Sequence, residues 1–460
     1  MALKNPPQSL LKESLLRPPV SRQKSPDSAR SDEVAGPPPL PVKWPPKSIA
    51  DLHIPENFMA NLLLKHVFYQ EVFTLPDMTS RLKLSSTIIL QLLDNLRRDK
   101  YIDIRGSGSL DGAATAISQN YRFALTEAGK RWTAQLLEFD SYVGPTPVIL
   151  DEYWRQVEGQ SIRNFRVNLA RLKQGFSGLV IPETLFDQLG PAMVSGKPMF
   201  IYGPAGNGKT AVSLRLGTLM DDPIMVPYAL YVEGNVIRVF DAVTHRPLAA
   251  DSEVHFQTDP RWVQCQRPTV LVGGEMTLEM LDLAFNPVLK YYEAPLQLKA
   301  NNGLFIVDDF GRQRIAPQEL LNRWIIPMEN RRDFLCLHTG HKFAIPFDQL
   351  LIFSTNLAPE SLVDPAFLRR LRHKIRLDHI DREQFRAIFR LVCAHYQVEY
   401  DDQIVDYLLE RYYDPEARPI DACHPRDLIE QIIDISRFRE VAPQLTEENI
   451  DRAGKTYFVD

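Results

Sequence analysis

The run MFIYGPAGNGKTAVSLRLG, residues 199–217, constrains the fold of this chain more than any other stretch. MFIY reads as a short apolar strand, and AVSLRLG continues as a helix. Between them, Gly203 to Thr210 satisfies the pattern G-x-x-x-x-G-K-[ST] in full. Glycines at 203, 206 and 208 let the backbone wrap without Cβ clashes, so that several N–H groups converge at close range. The helix that follows adds the positive end of its dipole. Such a hollow suits phosphate. Lys209 is placed to reach the β- and γ-phosphates, and the Thr210 hydroxyl to ligate magnesium. The binding candidates are therefore Gly203, Pro204, Ala205, Gly206, Asn207, Gly208, Lys209 and Thr210. The bland alternative is a glycine turn joining a strand to a helix.

A second site follows in NNGLFIVDDFGRQR. Leu304 to Val307 reads as an apolar strand ending in Asp308 and Asp309. A carboxylate at a strand end beside a phosphate loop can hold Mg²⁺ through water, which makes Asp308 the metal candidate alongside Thr210. The next acid, Asp309, can orient an attacking water. Alone, an apolar strand ending in acids is common. The phosphate loop upstream is what gives it a functional reading.

With these two elements the region resembles the AAA+ ATPases. The resemblance implies an α/β P-loop fold with a parallel sheet flanked by helices. It also implies ATP and Mg²⁺ as cofactors, hydrolysis of ATP to ADP and phosphate, and work as a ring of subunits, a hexamer by the family's habit. Asp309 stands where that family usually has Glu, one methylene shorter, although some AAA+ replication initiators and helicase loaders also carry two aspartates. In QLLIFSTNLAP, a strand ends at Asn356, which matches the family's sensor 1. The alternative is a turn-forming Asn after a strand. DPAFLRRLRHKI places Arg369 and Arg370 at the family's spacing for an arginine finger, which would act on a neighbouring subunit's γ-phosphate. Arg331 and Arg332 are secondary candidates for a contact in trans. HPRDLIEQI opens a helix with Pro425 in its first turn, and Arg426 matches sensor 2. For these arginines the alternative is a solvated basic helix face. RRDFLCLHTGHKFAIPF reads as two strands around a Thr-Gly turn, either a hairpin of the kind some AAA+ clades insert before sensor 1 or a plain surface hairpin. The resemblance covers residues 176–460. One departure is the long interval between Lys209 and Asp308, which includes the alternating YALYVEGNVIRVFDAVTH and part of 250–275. We read this as an insertion that could contact a substrate or partner.

The division along the chain is a Pro-rich disordered tail at 1–48, a winged-helix domain at 52–139 and a connector at 140–175. An α/β core follows at 176–378 and a helical lid at 379–460. The tail is too poor in apolar residues to offset its ordering entropy. The second segment runs helix, helix, helix, strand, loop, strand, helix and closes on LTEAGKR, in which it resembles winged-helix domains. Its third helix, Ser85 to Lys100, is mostly apolar, carries Asp94, and gathers Arg97, Arg98 and Lys100 at its end. Cations there suit the helix dipole and need no nucleic acid, so protein docking is favoured over DNA.

Composition sets the outer bounds. With 460 residues two or three domains are expected, and a net charge of -5 gives no global attraction to nucleic acid or anionic membrane. Cys265, Cys336, Cys393 and Cys423 are scattered without a CxxC pair, which argues against a zinc site or disulfide framework. No apolar run reaches the about 20 residues of a membrane helix. The expectation is a cytoplasmic ATPase that remodels a protein partner. Its rivals are a DNA-directed loader or regulator and a nucleotide-gated switch with little hydrolysis.

Overall fold

The fold is α/β, with a five-stranded parallel sheet and a helical C-terminal segment. The computed structural model describes residues 44–107, 121–248, 258–362 and 364–458. Residues 1–43 of the expected tail, most of the Gly/Ser-rich loop of 107–119 and residues 249–257 of the insertion lie outside the described residues. Among the described residues, no helix is long and apolar enough to cross a membrane.

The N-terminal segment contains α1 (Glu56–Val67), β1 (Phe73–Thr74), α2 (Leu75–Leu82), α3 (Ser86–Arg98), β2 (Ile102–Ser107), β3 (Tyr121–Leu125) and α4 (Glu127–Phe139). Local chemistry sets its boundaries. Thr74 and Asp77 form a reciprocal capping box on α2, and Ser85 and Thr126 cap α3 and α4. Ile88, Ile89, Leu92, Leu93 and Leu96 face inward from α3. Its outer side shows Gln91, Asp94, Arg97 and Arg98 to solvent.

Residues 140–175 are more than a passage. They supply β4 (Val148–Ile149), α5 (Leu150–Gly159) and α6 (Leu169–Gly175), and bury Tyr153, Val157, Ile162, Phe165 and Leu172. Next come α7 (Glu183–Ser195), β5 (Met199–Tyr202), α8 (Lys209–Leu219) and β6 (Ile224–Pro227). The alternating stretch forms a hairpin of β7 (Ala229–Val232) and β8 (Asn235–Arg238), turning at Glu233 and Gly234, both at positive φ. After β9 (Trp262–Cys265) and β10 (Thr269–Val272), short β11 (Ala284–Phe285) and β12 (Tyr292–Glu293) complete a second sheet ordered β11-β12-β8-β7-β4. Ala229, Val236 and Tyr291 of this region share a core with α1, α2 and α3, and Phe58 meets Tyr231 edge-on at 4.8 Å.

The chain then runs through α9 (Leu296–Lys299), β13 (Leu304–Val307), α10 (Pro317–Asn330), β14 (Arg332–Cys336), β15 (Lys342–Pro346), β16 (Leu350–Thr355), α11 (Pro359–Leu362), α12 (Pro365–Leu368) and β17 (His373–Arg376). The main sheet is ordered β10-β13-β16-β5-β17, and every pair in it is parallel. Its central strands β13, β16 and β5 are buried on both faces, as a sheet covered by helices on both sides demands, whereas the edge strand β17 buries only Ile375. Met199, Ile201, Leu304, Ile306, Leu350 and Ile352 pack with α6, α7 and α8. The alternate residues Phe200, Phe305, Val307, Leu351 and Phe353 pack with Trp324 and Leu320 of α10. The β14–β15 hairpin turns at Gly340, matching the two strands expected around Thr-Gly. Finally α13 (Arg382–Tyr396), α14 (Asp402–Tyr412), α15 (His424–Phe438) and α16 (Glu447–Tyr457) close around Phe385, Phe389, Leu408, Leu428 and Ile432.

Candidate functional site

A parallel sheet brings the carboxyl ends of its strands to one edge, where ligands of open α/β folds bind. The loops after β5, β13 and β16 therefore converge, because β16 pairs with both β5 and β13. The loop after β5 is glycine-dependent for steric reasons. Gly203 has φ +138, and a Cβ there would lie 1.9 Å from the carbonyl oxygen of Leu377. Gly206 has φ +80, and a Cβ there would lie 2.6 Å from Cys423 Sγ. Pro204 and Ala205 continue the turn, and Gly208 at φ +81 stands at the N-cap of α8. The first amides of α8 have no partner within the helix and face the loop.

Lys209 is buried, and its Nζ donates to the carbonyl oxygens of Gly203 at 3.0 Å and Pro204 at 2.6 Å. Burial pushes its pKa down, while the charges of Asp308, Asp309 and Asp421 oppose that shift. The Thr210 hydroxyl donates to Asp308 Oδ2 at 2.7 Å, across 98 residues of sequence. The Asp308 carbonyl accepts from Gln313 Nε2 at 2.8 Å, and Gln313 Oε1 accepts from Gly311 N at 2.8 Å. Gln313 thus clamps the turn that carries both acids.

Asp309 adopts φ +49, a left-handed conformation that Asp tolerates better than most residues. The cause is Phe310 beside it. That ring is fully buried between Phe200 and Phe353, and its amide donates to Ser354 O at 2.7 Å, which turns Asp309 outward to solvent. Asn356 Nδ2 reaches Asp309 Oδ1 at 3.4 Å. The structure therefore brings together Gly203 to Thr210, Asp308, Asp309 and Asn356.

The arginines lie elsewhere. Arg369 and Arg370 follow α12 at the amino end of β17, and Arg370 pairs with Glu329. β17 runs parallel to β5, so these residues are a full strand away from Gly203. Arg331 pairs with Asp348 at 2.9 Å and donates to Gly196 O, while Arg332 lies 5.3 Å over the Trp154 ring. Arg426 is exposed in the first turn of α15 and pairs with Asp427 at 3.2 Å. The residues that carry the C-terminal helices onto the phosphate loop are instead Asp421, Ala422 and Cys423. Asn207 Nδ2 donates to Asp421 Oδ1 at 2.7 Å, and Ala422 N donates to Asn207 Oδ1 at 3.1 Å. Sequence reading missed Asp421 and Gln313, since neither belongs to a local pattern and Asp421 is 214 residues from its partner.

Comparison with known proteins adds little beyond outline. A family model described as a domain of unknown function (DUF8689) matches residues 381–456, the C-terminal helices. No curated protein matches the chain. Among solved structures, NtrX from Brucella abortus is similar at 14% identity and TM-score 0.38, with 60% of this chain and 55% of that chain covered. The chain thus spans little more than half the length of NtrX. RuvB from Thermotoga maritima, a Holliday junction branch migration motor, is similar at 13% identity and TM-score 0.34, with 66% of this chain and 74% of that chain covered. Domain III of the Thermotoga maritima replication initiation protein DnaA is similar at 12% identity and TM-score 0.35, with 64% and 100% covered. None of these likenesses is near enough to assign an activity.

Proposed function

We propose that this chain binds ATP with magnesium at the carboxyl edge of its parallel sheet and hydrolyses it to ADP and phosphate. The observation that carries the reading is the 2.7 Å contact between the Thr210 hydroxyl and the Asp308 carboxylate. It joins the phosphate loop to a second strand and offers two hard oxygen donors of the kind Mg²⁺ takes. The loop fits a polyphosphate on a second ground, since Gly203, Gly206 and Gly208 hold it at positive φ and Lys209 presents a buried cation at its base.

In this reading the amides of residues 206–210 and the Lys209 ammonium hold the triphosphate tail. Thr210 and Asp308 would hold magnesium, which when bound would neutralise charge on the phosphate oxygens. Asp309, turned to solvent beside Asn356, orients a water in line with the terminal phosphorus and accepts its proton as the P–O bond to ADP breaks. Arg369 and Arg370 precede β17 at its amino end, so the whole length of that strand separates them from their own loop at the carboxyl end of β5. An arginine so placed serves a neighbouring subunit's site, which supports a ring of copies. The helices and small sheet of 52–139 are read as a winged-helix module that docks a protein partner. Asp94 and the apolar build of α3 favour protein over DNA.

A second reading is a nucleotide-gated switch with little turnover. Asp309 favours it, because its carboxylate is one methylene shorter than the glutamate usual at that position in the family the sequence resembles. Steady-state phosphate release separates the readings. Release that disappears in Lys209→Ala supports hydrolysis at this loop. ATP binding without release supports the switch, and release unchanged in Lys209→Ala removes the loop from the mechanism.

A further inference from the structure

One side chain joins the phosphate loop to the C-terminal helices. Asn207 is buried, and both ends of its amide are used on the segment before α15: it donates to Asp421 Oδ1 at 2.7 Å and accepts from Ala422 N at 3.1 Å. With Nδ2 facing two acceptors, Asp421 Oδ1 and Ala205 O at 3.2 Å, and Oδ1 facing one donor, the amide has a single satisfied orientation. The packing beside it is equally close, since Cys423 Sγ occupies the space that a Cβ on Gly206 would need. Asp421 is held from a third direction as well. His379 Nδ1 lies 2.7 Å from the same oxygen, in the crossover from β17 to α13 where Ile380 N donates to Ile420 O. That crossover is also where Leu377 O abuts Gly203.

Asp308 and Asp309 have roles in binding and hydrolysis, but neither role needs Asp421. Nevertheless its carboxylate is hydrogen-bonded to Asn207, two residues before Lys209 in the loop, and its charge opposes the downward shift of the Lys209 pKa. A triphosphate in the loop would bring several negative charges beside an acid that is also the anchor of the C-terminal helices. Like charges a few ångströms apart in a partly buried site shift an equilibrium by about tenfold or more.

We propose that Asn207 and Asp421 form a charge-sensing latch: it ties the helical segment to the phosphate loop and is loosened when a triphosphate enters beside Asp421. This inference rests on the nucleotide reading above and adds its regulation. Asn207 and Asp421 are positioning residues that act on the lid through the loop. Nucleotide charge drives the Asp421 carboxylate away, the Asn207 amide keeps only its loop partner Ala205 O and loses both partners on the helical segment, and α15 with its neighbours gains freedom to move.

The test uses the full chain, with hydrogen exchange followed across residues 416–424 with and without ATP and magnesium. In the wild type, ATP raises exchange there by about fivefold or more as the latch opens. Asp421→Asn keeps the size and the acceptor oxygen but not the charge, so that rise falls below about twofold and ATP binds about tenfold more tightly in a fluorescence titration. In Asn207→Ala the segment exchanges at the raised rate without nucleotide. Should Asn207→Ala fail to fold, the near-isosteric Asp421→Asn decides alone. A wild-type rise in Asp421→Asn, or unchanged exchange in Asn207→Ala, overturns the latch while leaving ATP binding intact. A wild-type chain that does not bind ATP overturns both readings together.

Discussion

The two ends of the main sheet use the same residue types to opposite effect. At the amino end, Asp348 stands before β16, Asn302 before β13 and Arg267 before β10. The Asp348 carboxylate accepts from Ser161 Oγ, Ile162 N, Asn302 Nδ2 and Arg331 Nη1, all within 2.9 Å. Arg267 is buried against Asp222 and the carbonyl of Gln160, and Gln160 in turn bonds Asn302 and Met225. At the carboxyl end, Asp308 holds a hydroxyl, Asp309 turns outward at positive φ, and Lys209 rests on carbonyls of its own loop. A buried charge whose lone pairs are all taken serves the scaffold, because nothing is left to exchange with a ligand. A charge held by few partners and in a sparsely populated backbone region is available for chemistry. Charge alone does not separate the two; the number of fixed partners does.

Breaking the closed end should cost most in stability. Asp348→Ala leaves the Arg331 guanidinium and the Ile162 amide without their partner, and is expected to lower unfolding free energy by ~3–5 kcal/mol in urea titration. A loss under about 1 kcal/mol would show the network to be dispensable. The exposed arginines beside it carry the next effect. Whichever of Arg369→Ala and Arg370→Ala removes the finger should cut turnover by about 1000-fold while sparing ATP affinity. Mixing that variant with Asp309→Asn chains should restore part of the activity, since one supplies the finger and the other the acid; no restoration would place the finger in cis. At the open end, Asp309→Asn should lower turnover by about 100-fold or more and change stability by no more than about 0.5 kcal/mol, because Asn also tolerates the left-handed turn. A large stability loss there would erase the contrast between the two edges. The smallest effect belongs to Arg426→Ala, whose exposed pair with Asp427 is worth within about 0.5 kcal/mol in the same urea assay. A larger loss would mean that this arginine is part of the lid's scaffold.

What could be read from the sequence was local. β5, β13 and β16 announce themselves as short apolar runs, and each ends in the residue type that its loop needs: Gly203, Asp308 and Asn356. The C-terminal helices show their three- and four-residue spacing, and α13 even carries its capping box in Asp381 and Gln384. What could not be read depends on distant partners. β11 and β12 have two residues each, too few for any periodicity, and exist because β8 and its hairpin offer an edge to pair with. The segment of 140–175 looks like a passage between domains because the partners of Gln160 and Ser161, among them Asn302 and Asp348, come more than a hundred residues later. Asp421 is silent for the same reason. Asn207, by contrast, was visible as a member of the loop, but its bonds to Asp421 and Ala422 were not.

The most direct measurement is a crystal structure of the chain with a non-cleavable ATP analogue and magnesium. The account expects the triphosphate tail within hydrogen-bond reach of the amides from Gly206 to Thr210, with the metal touching the Thr210 hydroxyl and facing Asp308. A nucleotide bound elsewhere, or a loop that stays closed over Lys209 at saturating analogue, would contradict it.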